Sequence, residues 1–352
     1  MKVIHIESGL GNQMLGYMEY LAIKESNPTE TCYIETILSE VPECGTVTSQ
    51  WNGYELNKIF GIEEPNIKDL FSDEEWSRVV DRVRKSEFWL HDWDYANAIV
   101  SALNAEKPEL NLEYDDPWKS YKDVEKTRKG KIRKNLSWIK KTALWYHFSR
   151  FKDMLNEEAL VKKEKEWMDK LFYKDSRNLY CGFTLRFRYR NGALERMESQ
   201  YRKCFVFPEL DDKNQIAANE IKACEAVAVH ARRGDMLSYN GKYYKYGYFV
   251  RAIRFIKHNV TNPVFYIFCD AGSTEWCKEN LAILGLDKKT DIIRFVDWNK
   301  GLDSYKDMQL MAMCKHNVVT NSSFGLWGAW LNPNKDKITC SPEIMMNTTN
   351  HF

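Results

Sequence analysis

At 352 residues the chain is about twice as long as one hydrophobic core usually serves, so two domains are expected. Lys and Arg number 51 against 50 Asp and Glu, a formal net charge of +1, which removes the global electrostatic case for nucleic-acid binding. With 44% hydrophobic, 14% aromatic and 29% charged residues, disorder is excluded and a folded globular protein is expected.

From the start of the chain, 2–7 reads as a strand, Ser8-Gly-Leu-Gly-Asn-Gln13 as a tight turn, the run to about residue 24 as a helix, and 31–38 as a second strand. That is the opening of a βαβ unit. Met1 leads straight into the strand, without the basic, apolar and small-residue regions of a signal peptide, and no 18-residue apolar run occurs, so the expectation is a cytoplasmic protein. The nine cysteines are scattered and form no CxxC pair, and the seven histidines form no HExxH or HxH, so the thiols are expected reduced and no structural metal is expected. Gly9 and Gly11 let backbone approach a ligand while Asn12 and Gln13 present two amides there; a plain tight turn needs the glycine alone.

Ser72-Asp-Glu-Glu75 ahead of Trp76, Val79, Val80 and Val83 predicts a capping box opening an amphipathic helix. Asp92-Trp-Asp94 has the spacing of a DxD metal clamp, but it lies outside any βαβ frame, and Asp94 reads equally as the cap of a following helix. From there to about residue 220 the pattern is mostly helical and irregular. Within it, 119–174 carries 17 Lys or Arg against 8 Asp or Glu, a local +9, together with Trp138, Trp145, Tyr146, Phe148, Phe151, Trp167, Phe172 and Tyr173. Two readings stay open: a solvated helical hairpin with inward aromatics, or a peripheral contact with an anionic inner membrane surface.

Beyond about residue 215 the rhythm is regular, with strands at 225–230, 264–269, 291–296, 317–320 and 337–340, and helices at 248–259, 273–284, 304–315 and 323–331. Near-continuous apolar strands alternating with amphipathic helices make an α/β domain on a parallel sheet, Rossmann-like. Ligands of such sheets bind beyond the carboxyl ends of the strands. The candidates there are 230–235, Asp270, Asp297 and 321–323.

Two adjacent arginines after a buried strand, in His230-Ala-Arg-Arg-Gly-Asp235, offer planar forks for phosphate oxygens, one reaching the ligand while the other braces the site. Arg232 is the expected charge stabiliser. Asp235 is the first candidate general base, its alternative role being a salt bridge that holds the arginines. Asn321-Ser322-Ser323 precedes a helix whose free N–H groups and positive end suit a diphosphate; an ordinary N-cap serine would explain the same residues. No GxxxxGK[ST] occurs, and the N-terminal turn lacks the third glycine of GxGxxG, so P-loop kinases and nicotinamide dehydrogenases fall away.

In that order, Gly-Leu-Gly-Asn-Gln-Met at 9–14, His-Ala-Arg-Arg-Gly-Asp at 230–235 and the stretch 307–331 ending Asn-Ser-Ser-Phe-Gly-Leu-Trp-Gly-Ala-Trp-Leu resemble the family-11 glycosyltransferases, the α-1,2-fucosyltransferases. The resemblance covers the first thirty residues and roughly 200–345. It implies a GT-B-like pair of Rossmann-like domains facing a cleft, with a helical insertion in the N-terminal half: an acceptor-side domain at 1–215 and a donor-binding domain at 216–352. It further implies GDP-β-L-fucose as donor, an oligosaccharide or glycolipid acceptor with terminal β-galactose, inversion at the anomeric carbon, and neither metal nor cofactor. By the same resemblance His230 lines the guanosine pocket, Arg233, Asn321, Ser322, Ser323, Gly11 and Gln13 join the donor site, Asn12 lies near the fucose, and Asp307 accepts from guanine. Met236 and Leu326 depart from the family pattern, from which altered acceptor packing is expected. A fucosyltransferase of another linkage, α-1,6-like, and a non-catalytic carbohydrate-binding protein are the rival readings.

Overall fold

A computed structural model describes residues 1–46, 52–91, 93–114, 144–145, 148, 151, 176–182 and 193–342. It divides into two compact units that are not continuous in sequence: Met1–Glu7, Gly16–Ser49 and Glu64–Glu198 form the first, and Ser8–Leu15, Gln50–Glu63 and Ser199–Phe352 the second. Both are organised on parallel sheets, which is the α/β class expected from the sequence.

In the first unit, β1 (Lys2–His5) is buried along its length and lies between β2 (Cys32–Glu35) and β3 (Leu179–Cys181), both parallel to it. Lys2 pairs with Cys32 on one side and Leu179 on the other. β3 falls in the stretch read above as helical and irregular. Three residues are too few to display the two-residue alternation that marks a strand. Helix α1 (Leu10–Ser26) follows β1, its first residues counting with the second unit. The short α2 (Leu56–Phe60) also belongs to the second unit. The capping box forms as expected at α3 (Asp73–Lys85): Ser72 Oγ accepts from the Glu75 N–H at 3.3 Å, and the Glu75 carboxylate accepts from the Ser72 N–H at 2.8 Å. Its buried face of Trp76, Val79, Val80 and Val83 packs in one core with Ile99, Val100 and Leu103 of α4 (Tyr95–Glu106).

In the second unit, α5 (Ala193–Cys204), whose residues up to Glu198 count with the first unit, and α6 (Asp212–Lys222) precede β4 (Glu225–Ala231). Helices α7 (Leu237–Lys245) and α8 (Tyr248–Asn259) lead to β5 (Pro263–Cys269). Then come α9 (Thr274–Glu279), β6 (Ile292–Val296), α10 (Tyr305–Met313), β7 (His316–Val318), α11 (Ser323–Leu331) and β8 (Thr339–Cys340). Helix α9 is shorter than the 273–284 expected, because Asn280 takes a non-helical conformation. The parallel strand order β6-β5-β4-β7-β8 buries one core on each face: Val227, Val229, Ile267 and Val318 on one side, Ala226, Ala228, Tyr266 and Phe268 on the other. The chain moves outward from β4 through β5 to β6 and then returns to β7 on the opposite flank. The strand order therefore reverses between β4 and β7, the place where open α/β sheets bind ligands.

No helix among the described residues is long and apolar enough to cross a membrane. All nine cysteines are free thiols, five of them buried. Apart from Leu144, Trp145, Phe148 and Phe151, the basic aromatic segment 119–174 lies outside the described residues, and so does Asp92.

Candidate active site

Both loops singled out for phosphate follow the two strands at the reversal: His230–Asp235 ends β4, and Asn321–Ser323 joins β7 to α11. Thr320 Oγ1 lies 3.4 Å from the His230 carbonyl. Gly325, in the first turn of α11, packs so closely on the His230 ring that a Cβ there would lie 2.3 Å from Nδ1. His230 is buried; burial, reinforced by the Arg232 charge, lowers its pKa to about 4, so the ring is neutral at pH 7 and its Nδ1 has no hydrogen-bond partner.

The arginine loop is braced from below by Asp270, at the end of β5. One carboxylate oxygen accepts from the Arg233 N–H at 3.0 Å and stands 3.6 Å from Arg232 Nε; the other accepts from Ser273 Oγ at 2.5 Å. Gly234 takes φ +28°, and a Cβ there would meet that second oxygen at 3.1 Å, so the turn needs glycine. The Arg232 carbonyl accepts from Asn240 and Tyr244 of α7. Arg232 donates to Asp235 at 2.9 Å, which is the holding role weighed for that acid. The Arg233 guanidinium lies over the Trp276 ring, 3.3 Å from its centroid, and 5.0 Å from the Tyr244 ring.

The N-terminal turn belongs to the same unit because α1 and α11 begin against each other. Ser323 Oγ donates to Asn12 Oδ1 at 2.6 Å, and Trp327 Nε1 donates to the Gly11 carbonyl at 2.8 Å. A Cβ on Gly11 would lie 2.7 Å from the Phe324 nitrogen, so this approach, too, requires glycine. Two helix N-termini thus meet where the β4 and β7 loops end, but in α1 the Leu10 N–H bonds the Glu55 carboxylate and the Asn12 and Gln13 N–H groups bond the Gly9 carbonyl, so the donors available to an anion are those of α11. Ser322 occupies the N-cap position of α11 without a side-chain capping bond, and Asn321 is buried beside it. Gln13 is buried and spends its amide on backbone: it donates to the Ser8 and Gly53 carbonyls, both at 2.7 Å, and accepts from the Glu55 N–H at 2.8 Å. It ties Gly53 and Glu55 to the N-terminal turn.

Asp307 stands in the first turn of α10, in a network the sequence did not reveal. Asn299 donates to its carboxylate at 2.7 Å and exchanges reciprocal 2.9 Å amide bonds with the buried Asn214, which also accepts from Trp298 Nε1 at 3.0 Å. Burial raises the Asp307 pKa to about 7, with the Asp297 charge adding to it and the Asn299 bond opposing it. Asp94 sits at the N-cap position of α4 without a capping bond; its carboxylate accepts from Asn97 instead. Among the described residues no three His, Cys, Asp or Glu side chains are placed to hold a metal ion.

Residues 189–349 match the family described as Glycosyl transferase family 11. Relatives of the chain include an α-1,2-colitosyltransferase of Escherichia coli, 34% identical over 127 residues, which are 35% of this chain and 41% of that protein. The O-antigen biosynthesis glycosyltransferase WbnK of the same organism is 32% identical over 33% of this chain and 37% of its own. The human galactoside α-(1,2)-fucosyltransferase 1 is 30% identical over 30% of this chain and 28% of its own. The matches span less than half the length of these relatives. The fucosyltransferase NodZ from Bradyrhizobium is structurally similar at a TM-score of 0.43 and 12% identity, over 93% of this chain and 91% of that one.

Proposed function

We propose that this protein transfers L-fucose from GDP-β-L-fucose to the 2-hydroxyl of a terminal β-galactoside, with inversion and without a divalent metal. The observation that carries the reading is the convergence of the arginine loop and two helix N-termini at the reversal of the second sheet. That is an anion site built from organic charge and backbone dipoles, suited to the diphosphate of a departing nucleotide. The names of the human and E. coli relatives supply the sugar and the linkage.

As the bond between the anomeric carbon and the diphosphate oxygen breaks, its electron pair leaves with GDP, and the acceptor oxygen attacks from the opposite face and passes its proton to a general base, for which Asp235 is the candidate. Negative charge grows on the diphosphate in an oxocarbenium-like transition state. Arg232, the Ser323 N–H and the Ser322 hydroxyl meet that charge, and Arg233, Asn321, Gly11 and Asn12 complete the cradle, the Ser322 N–H itself being spent on the Thr320 carbonyl. Asp235 holds Arg232. The neutral His230 lines the guanosine pocket, and Asp307 accepts from guanine N1–H and N2–H₂. Gln13 acts by fixing the turn.

The purified chain, given GDP-fucose and a panel of β-galactosides with EDTA present, is expected to yield an α-1,2-linked product. GDP-colitose belongs in the donor panel because a colitosyltransferase is among the relatives. An α-1,6 product would move the linkage to the rival reading. Loss of turnover on chelation, restored by Mn²⁺, would overturn metal independence. Galactoside binding without GDP affinity would make the protein a lectin-like binder.

A further inference from the structure

The carboxyl end of the first sheet holds a buried charge cluster that fucosyl transfer as described does not use. His5 closes β1, and its Nδ1 lies 2.6 Å from a Glu35 oxygen at the end of β2. The same oxygen accepts from Tyr180 Oη of β3 at 2.6 Å, and the other accepts from the Ile37 N–H. Glu35 is therefore fully committed. On the opposite side of the imidazole, Nε2 faces Glu7 at 3.5 Å, beyond hydrogen-bond reach for that pair: both His5 Nε2 and Glu7 Oε2 are buried without a hydrogen-bond partner. Burial would lower the His5 pKa, but the Glu35 charge and hydrogen bond, with Glu7 behind them, raise it to about 9. One imidazolium thus serves two carboxylates, and the surplus acceptor is Glu7, 8% exposed. A buried carboxylate oxygen left without a donor is costly, so this one is built for a partner from outside.

The surroundings fit a sugar. The Tyr95 ring stacks on His5 at 4.5 Å, with Trp93 beside it at 6.3 Å, the amphipathic rings on which the C–H faces of carbohydrates pack. Glu7 is followed by Ser8 at φ +68°, and Tyr95 is preceded by Trp93 at φ +55°. Two side chains with left-handed backbone thus flank the cluster, and such strain gathers at binding sites. We propose that Glu7 is a hydroxyl-binding contact for the acceptor sugar, in a subsite of the first unit walled by Tyr95, with His5 and Glu35 as positioning residues. A carboxylate has only acceptor capacity, and adjacent sugar hydroxyls supply the donors it lacks. The identity of the sugar, a terminal β-galactoside, rests on the function proposed above.

The test uses the full chain and lactose. Glu7→Gln keeps the size but removes the charge. We expect the KM for lactose to rise at least tenfold, while GDP affinity and melting temperature stay at the wild-type value; an unchanged KM overturns the proposal. The wild-type protein gives a second measurement that does not depend on any variant folding. With ¹⁵N-histidine labelling, the His5 resonance, assigned through its loss in His5→Gln, should shift on saturation with lactose, and a resonance that stays in place overturns the subsite. If the wild type binds no GDP and transfers nothing, the transfer reading fails, but the resonance still decides whether a galactoside sits at Glu7.

Discussion

Two strand ends of this molecule handle charge in opposite ways. At the end of β4 the guanidiniums are half-buried and braced by Asp235, Asp270 and an indole face, and two helix N-termini add positive potential there. At the end of β1 His5 and Glu35 are fully buried, Glu7 is 8% exposed and the surplus charge is negative, one imidazolium between two carboxylates. The same topological position carries surplus positive charge in one unit and surplus negative charge in the other. What differs is the side chains placed just past the strand.

The comparison breaks most sharply at Arg232. Arg232→Ala should lower turnover by about 10²–10³-fold, the scale of a missing charge-stabilising donor, with little change in melting temperature because a strand-end loop tolerates truncation. A loss below tenfold in steady-state assays would remove the diphosphate from this loop. Next comes Gly325→Ala, which sets a methyl 2.3 Å from a buried imidazole nitrogen. Its cost should reach about 3 kcal/mol, the upper part of the overpacking range, read as a lower melting temperature and weaker GDP binding. A wild-type melting curve would mean that α11 slides freely over His230.

A smaller effect separates base recognition from phosphate binding. Asp307→Asn should weaken GDP binding by roughly 2 kcal/mol, because one acceptor oxygen becomes a donor facing guanine's donors. In the unliganded protein the carboxyl group titrates at about 7, well above its value in an unfolded chain. Its stabilisation is therefore present in acid and lost as pH rises towards 7. GDP needs the ionised form, so GDP affinity should strengthen from pH 6 to 8 in the wild type and stay flat in Asp307→Asn. Calorimetry at the two pH values checks both statements.

The arginine loop and the α11 loop were legible because buried strands announce themselves as apolar runs and the residues after them are few. The strand order, which makes β4 and β7 neighbours at the reversal, is a long-range fact that no local pattern carries. The Asn299–Asn214 pair joins residues 85 apart through amides with no sequence signature. Gln13 looked like a presented amide because the turn around it is glycine-rich, but only the fold shows the backbone groups of Gly53 and Glu55 that it serves. His5 and Glu7 were passed over as alternate residues of a strand, although a charged residue in so apolar a run is the signal that could have found them.

A separate effect belongs to His5, and it tests whether the first unit really holds its charge in place. The ring is raised to about 9 in the folded protein against about 6.5 in an unfolded chain. Below about pH 6.5 both states are protonated and the full contribution to stability is present. Between there and pH 9 the unfolded chain has released its proton while the folded one keeps it, so stability is lost progressively and is gone once the folded ring titrates. The groups facing the ring are Glu35 and Tyr180 from the flanking strands, Glu7 from just beyond its own and Tyr95 from α4, and deprotonation leaves the two carboxylates with no cation between them. His230 titrates near 4, in a separate window, and does not mask the change. Each kcal/mol moves the melting temperature of a domain of 150–250 residues by about 2–4 °C, so thermal scans from pH 7 to 9.5 resolve it. The wild-type melting temperature should fall over that interval more steeply than that of His5→Gln, whose amide carries no charge to lose. Parallel curves would mean that His5 is neutral between its two carboxylates, and that the contrast between the strand ends is one of burial alone.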